Sequence, residues 1–168
     1  MKAAVVDIDD TLIDTSLRMQ SIWNHVLGVA VPIQDIETLT LEGIFMKHAS
    51  AEQKKRAPEL QRLFFSLLLC EDDKGTELAQ LDRPMPDAAE TLQEWTDRYK
   101  MIYLTGRPEH TRENTLKTLA KYGFPTEDVL MAMVTLEDWK SRVQTQARQR
   151  LLESLARARC GRTDIRGS

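Results

Sequence analysis

Cysteine and histidine are scarce in this sequence of 168 residues: two cysteines and three histidines, with aromatics at 6%. Cys70 and Cys160 stand far apart and lack a C-x-x-C partner, which excludes a disulfide framework and a cysteine zinc site. His25, His48 and His110 share no metal-ligand spacing. Long apolar runs are missing too. The first 25 residues hold no continuous hydrophobic stretch behind a basic start, and an acid arrives at Asp7, so neither a signal peptide nor a membrane span is expected. The expected setting is reduced and cytoplasmic, with no membrane partner. What is present is 42% apolar and 29% charged residues, enough for one domain of ordinary size with a real core.

The net charge of -3 is unevenly spread. Residues 140–168 carry eight basic side chains against Glu153 and Asp164, so the rest of the chain is distinctly acidic. A basic segment can meet nucleic acid. Without interleaved aromatics, this one reads instead as a solvated helix face that balances an acidic body.

Three short apolar runs predict strands: residues 2–8, Met101–Thr105 and Val129–Val134. None alternates and none is long enough for three helical turns, which suits parallel strands buried on both faces. Between them lie helical patterns. Pro86 opens one with Ala88, Leu92, Trp95 and Tyr99 on a single stripe. Pro108 opens a second, striped by Leu116, Leu119 and Ala120 and stopped by Gly123 and Pro125. Thr135 and Asp138 cap a third, in which Trp139, Val143, Ala147, Leu151 and Leu155 repeat every four residues. This βαβα series predicts an α/β fold with a parallel sheet and right-handed crossovers, core residues 1–14 and 85–160. Residues 15–84 interrupt it as an all-helical insertion. Its stripes are Trp23, Val26 and Leu27, then Ile36, Leu39, Ile44 and Phe45, then Leu60, Leu63, Phe64, Leu67 and Leu68. Ser50 to Gln53 forms a capping box, Pro58 breaks or restarts the helix, and Glu71–Gly75 closes the insertion as a polar turn. Residues 161–168 read as a loose tail.

The chemistry gathers at Asp7-Ile8-Asp9-Asp10-Thr11, three carboxylates within four residues at the carboxyl end of the first strand. Open α/β sheets put their sites there. Clustered carboxylates repel, and a hard cation such as magnesium lets them stay ionised together. A carboxylate can attack phosphorus to form an aspartyl phosphate, while a second carboxyl protonates the leaving oxygen. A helix cap needs one carboxylate, not three. Asp10 and Asp14 read as residues that order the loop, and His25 as solvated or packed.

These residues resemble the first motif of the haloacid dehalogenase superfamily, D-x-D-x-T, matched by Asp7, Asp9 and Thr11. The family's second motif, a Ser or Thr ending the second strand, is matched by Thr105 within Tyr103-Leu104-Thr105-Gly106-Arg107-Pro108-Glu109. The resemblance implies a Rossmann-like core with a helical cap inserted after the first motif. It implies that Asp7 is nucleophile and magnesium ligand, and that Asp9 is general acid and base, ligating magnesium through its backbone carbonyl. Thr105 would bind phosphoryl oxygens with neighbouring amides, aided by a helix starting at Pro108, and Thr11, Gly106 and Arg107 would line the substrate site. Arg107 equally suits a pairing with Asp10 or Glu109. Aspartate at position 9 favours phosphate monoester hydrolysis, since the family's dehalogenases carry Tyr there and its transport ATPases Thr. The third motif, a cation offsetting charge on the transferring phosphoryl group, is expected at Lys140, with Arg148 as the alternative.

The family's fourth motif, an acidic pair ending a fourth strand, has no counterpart in residues 160–168, where Asp164 is a poor substitute. The first strand is then expected at the sheet edge, covered by the tail, a second protomer or a swapped element. The leading expectation is a magnesium-dependent phosphatase of a small phosphomonoester. The alternatives are a binding or regulatory relative lacking the fourth motif, and a nucleic-acid end phosphatase, which the basic segment would serve.

Overall fold

The computed structural model describes residues 2–127 and 130–134. In chain order its elements are β1 (Lys2–Asp7), β2 (Ile13–Asp14), α1 (Ser16–Leu27), α2 (Ile33–Thr38), α3 (Leu41–His48), α4 (Ala51–Lys55), α5 (Ala57–Leu68), α6 (Asp73–Leu78), β3 (Arg83–Pro84), α7 (Ala88–Trp95), β4 (Tyr99–Pro108), α8 (Arg112–Lys121) and β5 (Leu130–Val134). Short 3-10 turns at Ala79–Leu81 and Glu109–Thr111 precede β3 and α8. The chain divides into two compact units: Asp9–Ala89, and a sheet unit holding β1, β4, β5, α8 and most of α7.

The sheet unit is the α/β core. Its strands run parallel in the order β1-β4-β5, with Lys2 opposite Tyr99, Asp7 opposite Leu104 and Ile102 opposite Leu130. Parallel neighbours need long crossovers, and the helices between these strands supply them. β4 is buried along Met101, Ile102, Tyr103 and Thr105, as its unbroken apolar run requires. β1 differs from the expectation of burial on both faces: Lys2, Ala3, Val5 and Asp7 are exposed, Val5 at 48%. Among the described residues β1 pairs with β4 alone, and its outward-facing side chains are buried only where another layer packs on the sheet face.

One boundary shifts from expectation, and a second serves two elements. Tyr99 leaves the α7 stripe and opens β4, because pairing with Lys2 overrides the helical spacing; α7 ends at Trp95, which is half-exposed. Pro108 is the N-cap of the 3-10 turn Glu109–Thr111, which runs directly into α8, so a helical segment starts there as expected. It also ends β4 opposite Val134, its φ of -74° held extended, and α8 begins at Arg112. The register between β4 and β5 shifts between Leu104 and Pro108, where the second motif lies.

The Asp9–Ala89 unit is helical apart from β2 and β3, whose antiparallel pair joins Ile13 to Pro84 and so ties the two ends of the insert together. Its core is formed by Ile22, Trp23, Val26 and Leu27 of α1, Ile44 of α3 and Leu60, Phe64 and Leu67 of α5. The Trp23 and Phe64 rings lie 4.4 Å apart. Each such side chain contributes about 1.5–3 kcal/mol by leaving water. The capping box is present: Gln53 N donates to Ser50 Oγ at 3.2 Å and Ser50 N to Gln53 Oε1 at 2.9 Å. Pro58 sits in the first turn of α5, where a missing N–H costs nothing. The segment read as a polar turn at Glu71–Gly75 instead starts α6, because Asp72 caps it by accepting from Gly75 N at 2.7 Å. A side chain at Gly75 would meet Leu67 O at 2.5 Å and Cys70 Cα at 2.9 Å, so glycine alone lets α6 pack this close to the end of α5. Among the described residues no helix is long and apolar enough to cross a membrane.

Candidate active site

In the sheet unit, β1 and β4 bring two of the motif residues to the same end. Asp7 is the last residue of β1 and lies opposite Leu104, so Thr105 is one step further along the adjacent parallel strand. Asp7 ends β1, and Thr105 lies toward the carboxyl end of β4, which continues to Pro108. The Asp7 side chain is exposed and its Oδ1 accepts from Ile8 N at 2.9 Å, which fixes the carboxylate beside its own backbone. Thr105 is buried, and its Oγ1 accepts from Arg107 N at 3.1 Å. Gly106 is exposed and Arg107 half-buried. Behind them Tyr103 is fully buried and donates to Pro125 O at 2.8 Å; burial pushes its phenol up to about 12, so it stays a neutral prop.

Glu109, one suggested partner for Arg107, is engaged by Arg112, whose Nη2 donates to Oε2 at 2.8 Å. That contact holds the Glu109 carboxyl below its ordinary range. Arg112 Nη2 also donates to Met131 O at 3.1 Å, joining the start of α8 to β5. Pro108 ends β4 and also caps the 3-10 turn Glu109–Thr111, so the helical segment expected at Pro108 is present, with regular α-helix from Arg112.

Asp9 belongs to the Asp9–Ala89 unit, where the first motif continues as a tight turn. Asp10 sits in the left-handed region with φ 57° and its amide donates to Ile13 O at 2.7 Å. Asp10 Oδ1 accepts from Thr15 Oγ1 at 2.6 Å, and Asp14 Oδ1 from Ser16 N at 2.9 Å. Both aspartates therefore order the loop into α1, as the sequence indicates. Thr11 at the turn is exposed, and so is His25 on α1.

Two residues that the motif reading did not single out also converge here. Arg18, in the first turn of α1, donates from Nη2 to Asp9 Oδ1 at 3.3 Å, and its Nε lies 3.2 Å from Asp82 Oδ1. Arg18 is 4% exposed and Asp82 1%. A signal for them did exist: a cation in the first turn of a helix opposes the helix dipole and calls for carboxylate partners.

Among the described residues no group of three or more His, Cys, Asp or Glu side chains gathers as a metal cage. Aspartate oxygens of the kind the first motif offers are hard donors that suit magnesium, which takes one or two carboxylates and fills its remaining positions with water and substrate phosphate. Lys140, Arg148, Asp164 and the basic segment lie outside the described residues.

A parallel sheet with a carboxylate ending one strand and a hydroxyl one step further along its neighbour is an α/β scaffold with two polar side chains on adjacent strands. The family comparison agrees: haloacid dehalogenase-like hydrolase matches residues 1–135, and the chain belongs to that family. Solved structures share the fold. A subfamily IA, variant 1 hydrolase of the superfamily from Geobacter sulfurreducens is 16% identical with TM-score 0.58, over 93% of this chain and 73% of that one. A Clostridium difficile protein assigned as a phosphatase is 19% identical with TM-score 0.60, over 98% and 73%. A haloacid dehalogenase-like family protein from Streptococcus pneumoniae is 22% identical with TM-score 0.50, over 82% of this chain and 63% of that one. A comparison with curated proteins finds no match.

Proposed function

We propose that the protein is a magnesium-dependent phosphatase that hydrolyses a small phosphomonoester through an aspartyl phosphate on Asp7. The observation that supports this is the register of β1 against β4, which sets a carboxylate and a hydroxyl at neighbouring strand ends. Asp7 attacks phosphorus, the ester P–O bond breaks, and Asp9 gives its proton to the leaving oxygen. Water then attacks the phosphoryl group, Asp9 takes a water proton, and the Asp7–phosphorus bond breaks. Thr105 and the amides around Gly106 bind the phosphoryl oxygens, with Thr11 and Arg107 at the rim. Lys140 supplies the cation that offsets the phosphoryl charge. Asp7 and the Asp9 carbonyl would hold magnesium, which would supply neutralisation of the carboxylate and phosphate charge. Residues 15–84 take the role of a cap that selects the substrate and excludes water.

The test is hydrolysis of p-nitrophenyl phosphate by the purified protein, with and without magnesium, beside Asp7→Asn. Magnesium-dependent turnover is expected, falling to background in Asp7→Asn while the circular dichroism spectrum stays unchanged. Turnover retained by Asp7→Asn removes the aspartyl-phosphate route.

A further inference from the structure

Burying an arginine is costly, and a buried ion pair is often no more stable than apolar residues of the same volume. Asp82, itself buried, suffices to neutralise the guanidinium of Arg18. The same edge of that guanidinium nevertheless serves two different carboxylates: Nε faces Asp82 and Nη2 donates to Asp9. The contact with Asp82 is an ion pair at 3.2 Å and not a hydrogen bond, so it holds the guanidinium by charge; because the group is rigid and planar, that placement limits where Nη2 can meet Asp9. Asp82 is in turn held by its neighbours, since Arg83 pairs with Asp14 in the β2–β3 ribbon. The chain therefore links a buried anchor, through a rigid cation, to one oxygen of a half-buried carboxylate in the first motif.

We propose that Arg18 is the positioning residue for Asp9, with Asp82 as its anchor. Holding Oδ1 of Asp9 sets the direction of the second carboxyl oxygen, through which the proton passes. The inference rests on the phosphatase reading, in which Asp9 protonates the leaving group. In that step the Asp7 oxygen bonds to phosphorus, the ester bond breaks, and the proton moves from Asp9 to the departing oxygen, leaving Asp9 as a carboxylate beside the guanidinium. A misaligned Asp9 slows esters whose leaving group needs that proton and spares those whose leaving group departs as an anion.

Two substrates of nearly the same shape separate these cases: phenyl phosphate, whose leaving group needs the proton, and p-nitrophenyl phosphate, whose leaving group needs it much less. The variants are Arg18→Lys, which keeps the charge but cannot fork to both partners, and Asp82→Asn, which keeps the shape and weakens the anchor. For Arg18→Lys, kcat/KM on phenyl phosphate is expected to fall about tenfold further than on p-nitrophenyl phosphate, with KM nearly constant for both. Asp82→Asn should shift the ratio in the same direction by a smaller factor. Because the ratio is measured within one preparation, it does not depend on the folded fraction, and if Arg18→Lys does not fold, the Asp82→Asn ratio decides. Wild-type turnover with an unshifted ratio in the folded variants overturns the role of Arg18 alone, leaving it a partner in a buried ion pair. A wild-type protein that hydrolyses neither ester overturns the phosphatase reading, and this role with it.

Discussion

The two units of the chain bury their apolar residues in different ways. In Asp9–Ala89 the helices face one another around a shared core, and Ile22, Trp23, Val26, Phe64 and Leu67 are all buried in it. Among the described residues of the sheet unit, β4 is buried through Met101, Ile102 and Tyr103 and the helices bury Leu92 and Leu119, while β1 leaves Val5 largely open. The difference separates stability from chemistry. The candidate nucleophile closes the strand that is least invested in packing, which costs the core little and leaves the Asp7 carboxylate accessible. Asp9, in the helical unit, is instead held by a buried cation.

The contrast is sharpest between two single substitutions. Phe64→Ala removes a fully buried ring stacked on Trp23 and is expected to lower unfolding stability by about 3–5 kcal/mol, read from urea denaturation. Val5→Thr, on the open face of β1, should change it by less than about 0.5 kcal/mol. A comparable loss from both would mean that β1 is covered in solution, by a second copy of the chain or otherwise, and concentration-dependent melting would distinguish the two.

A subtler effect concerns pH. Asp35 of α2 accepts from Lys47 Nζ at 2.8 Å and pairs with His48 Nε2 at 2.6 Å, and these contacts hold its carboxyl below the unperturbed 3.8. A carboxylate whose folded pKa is depressed stabilises the fold above its unfolded value and loses that contribution as pH falls through the folded one. Wild type should therefore melt higher than Asp35→Asn at neutral pH, and the gap should close as the pH drops below 3.8. A gap of constant size down to acid would remove the ion-pair role.

What could be read from the sequence was what local chemistry decides. The Ser50–Gln53 box depends on residues three apart, and β4 on an apolar run too short for a helix, so both were visible. The acidic motif followed its strand directly, and its place at the strand's end needed no long-range information. The exposure of β1 was not visible, because a run of Ala and Val records what a strand can bury and not how many neighbours it has. Nor was the β2–β3 ribbon: two residues per strand are too few to show a period. Arg18 was overlooked because its anchor, Asp82, lies at the opposite end of the insert and only folding brings them together.

The side chain of Gln53 does more than complete a cap. Its Oε1 accepts from Ser50 N at the start of α4, and its Nε2 donates to Leu27 O at the end of α1, at 2.8 Å. Leu27 O is among the last carbonyls of its helix, which have no partner within the helix itself. One amide thus zips the final turn of α1 to the first turn of α4, and neither end can fray without releasing the other. In amide exchange the two helix ends should open as a single event, making this corner of the helical unit one cooperative hinge rather than two loose termini.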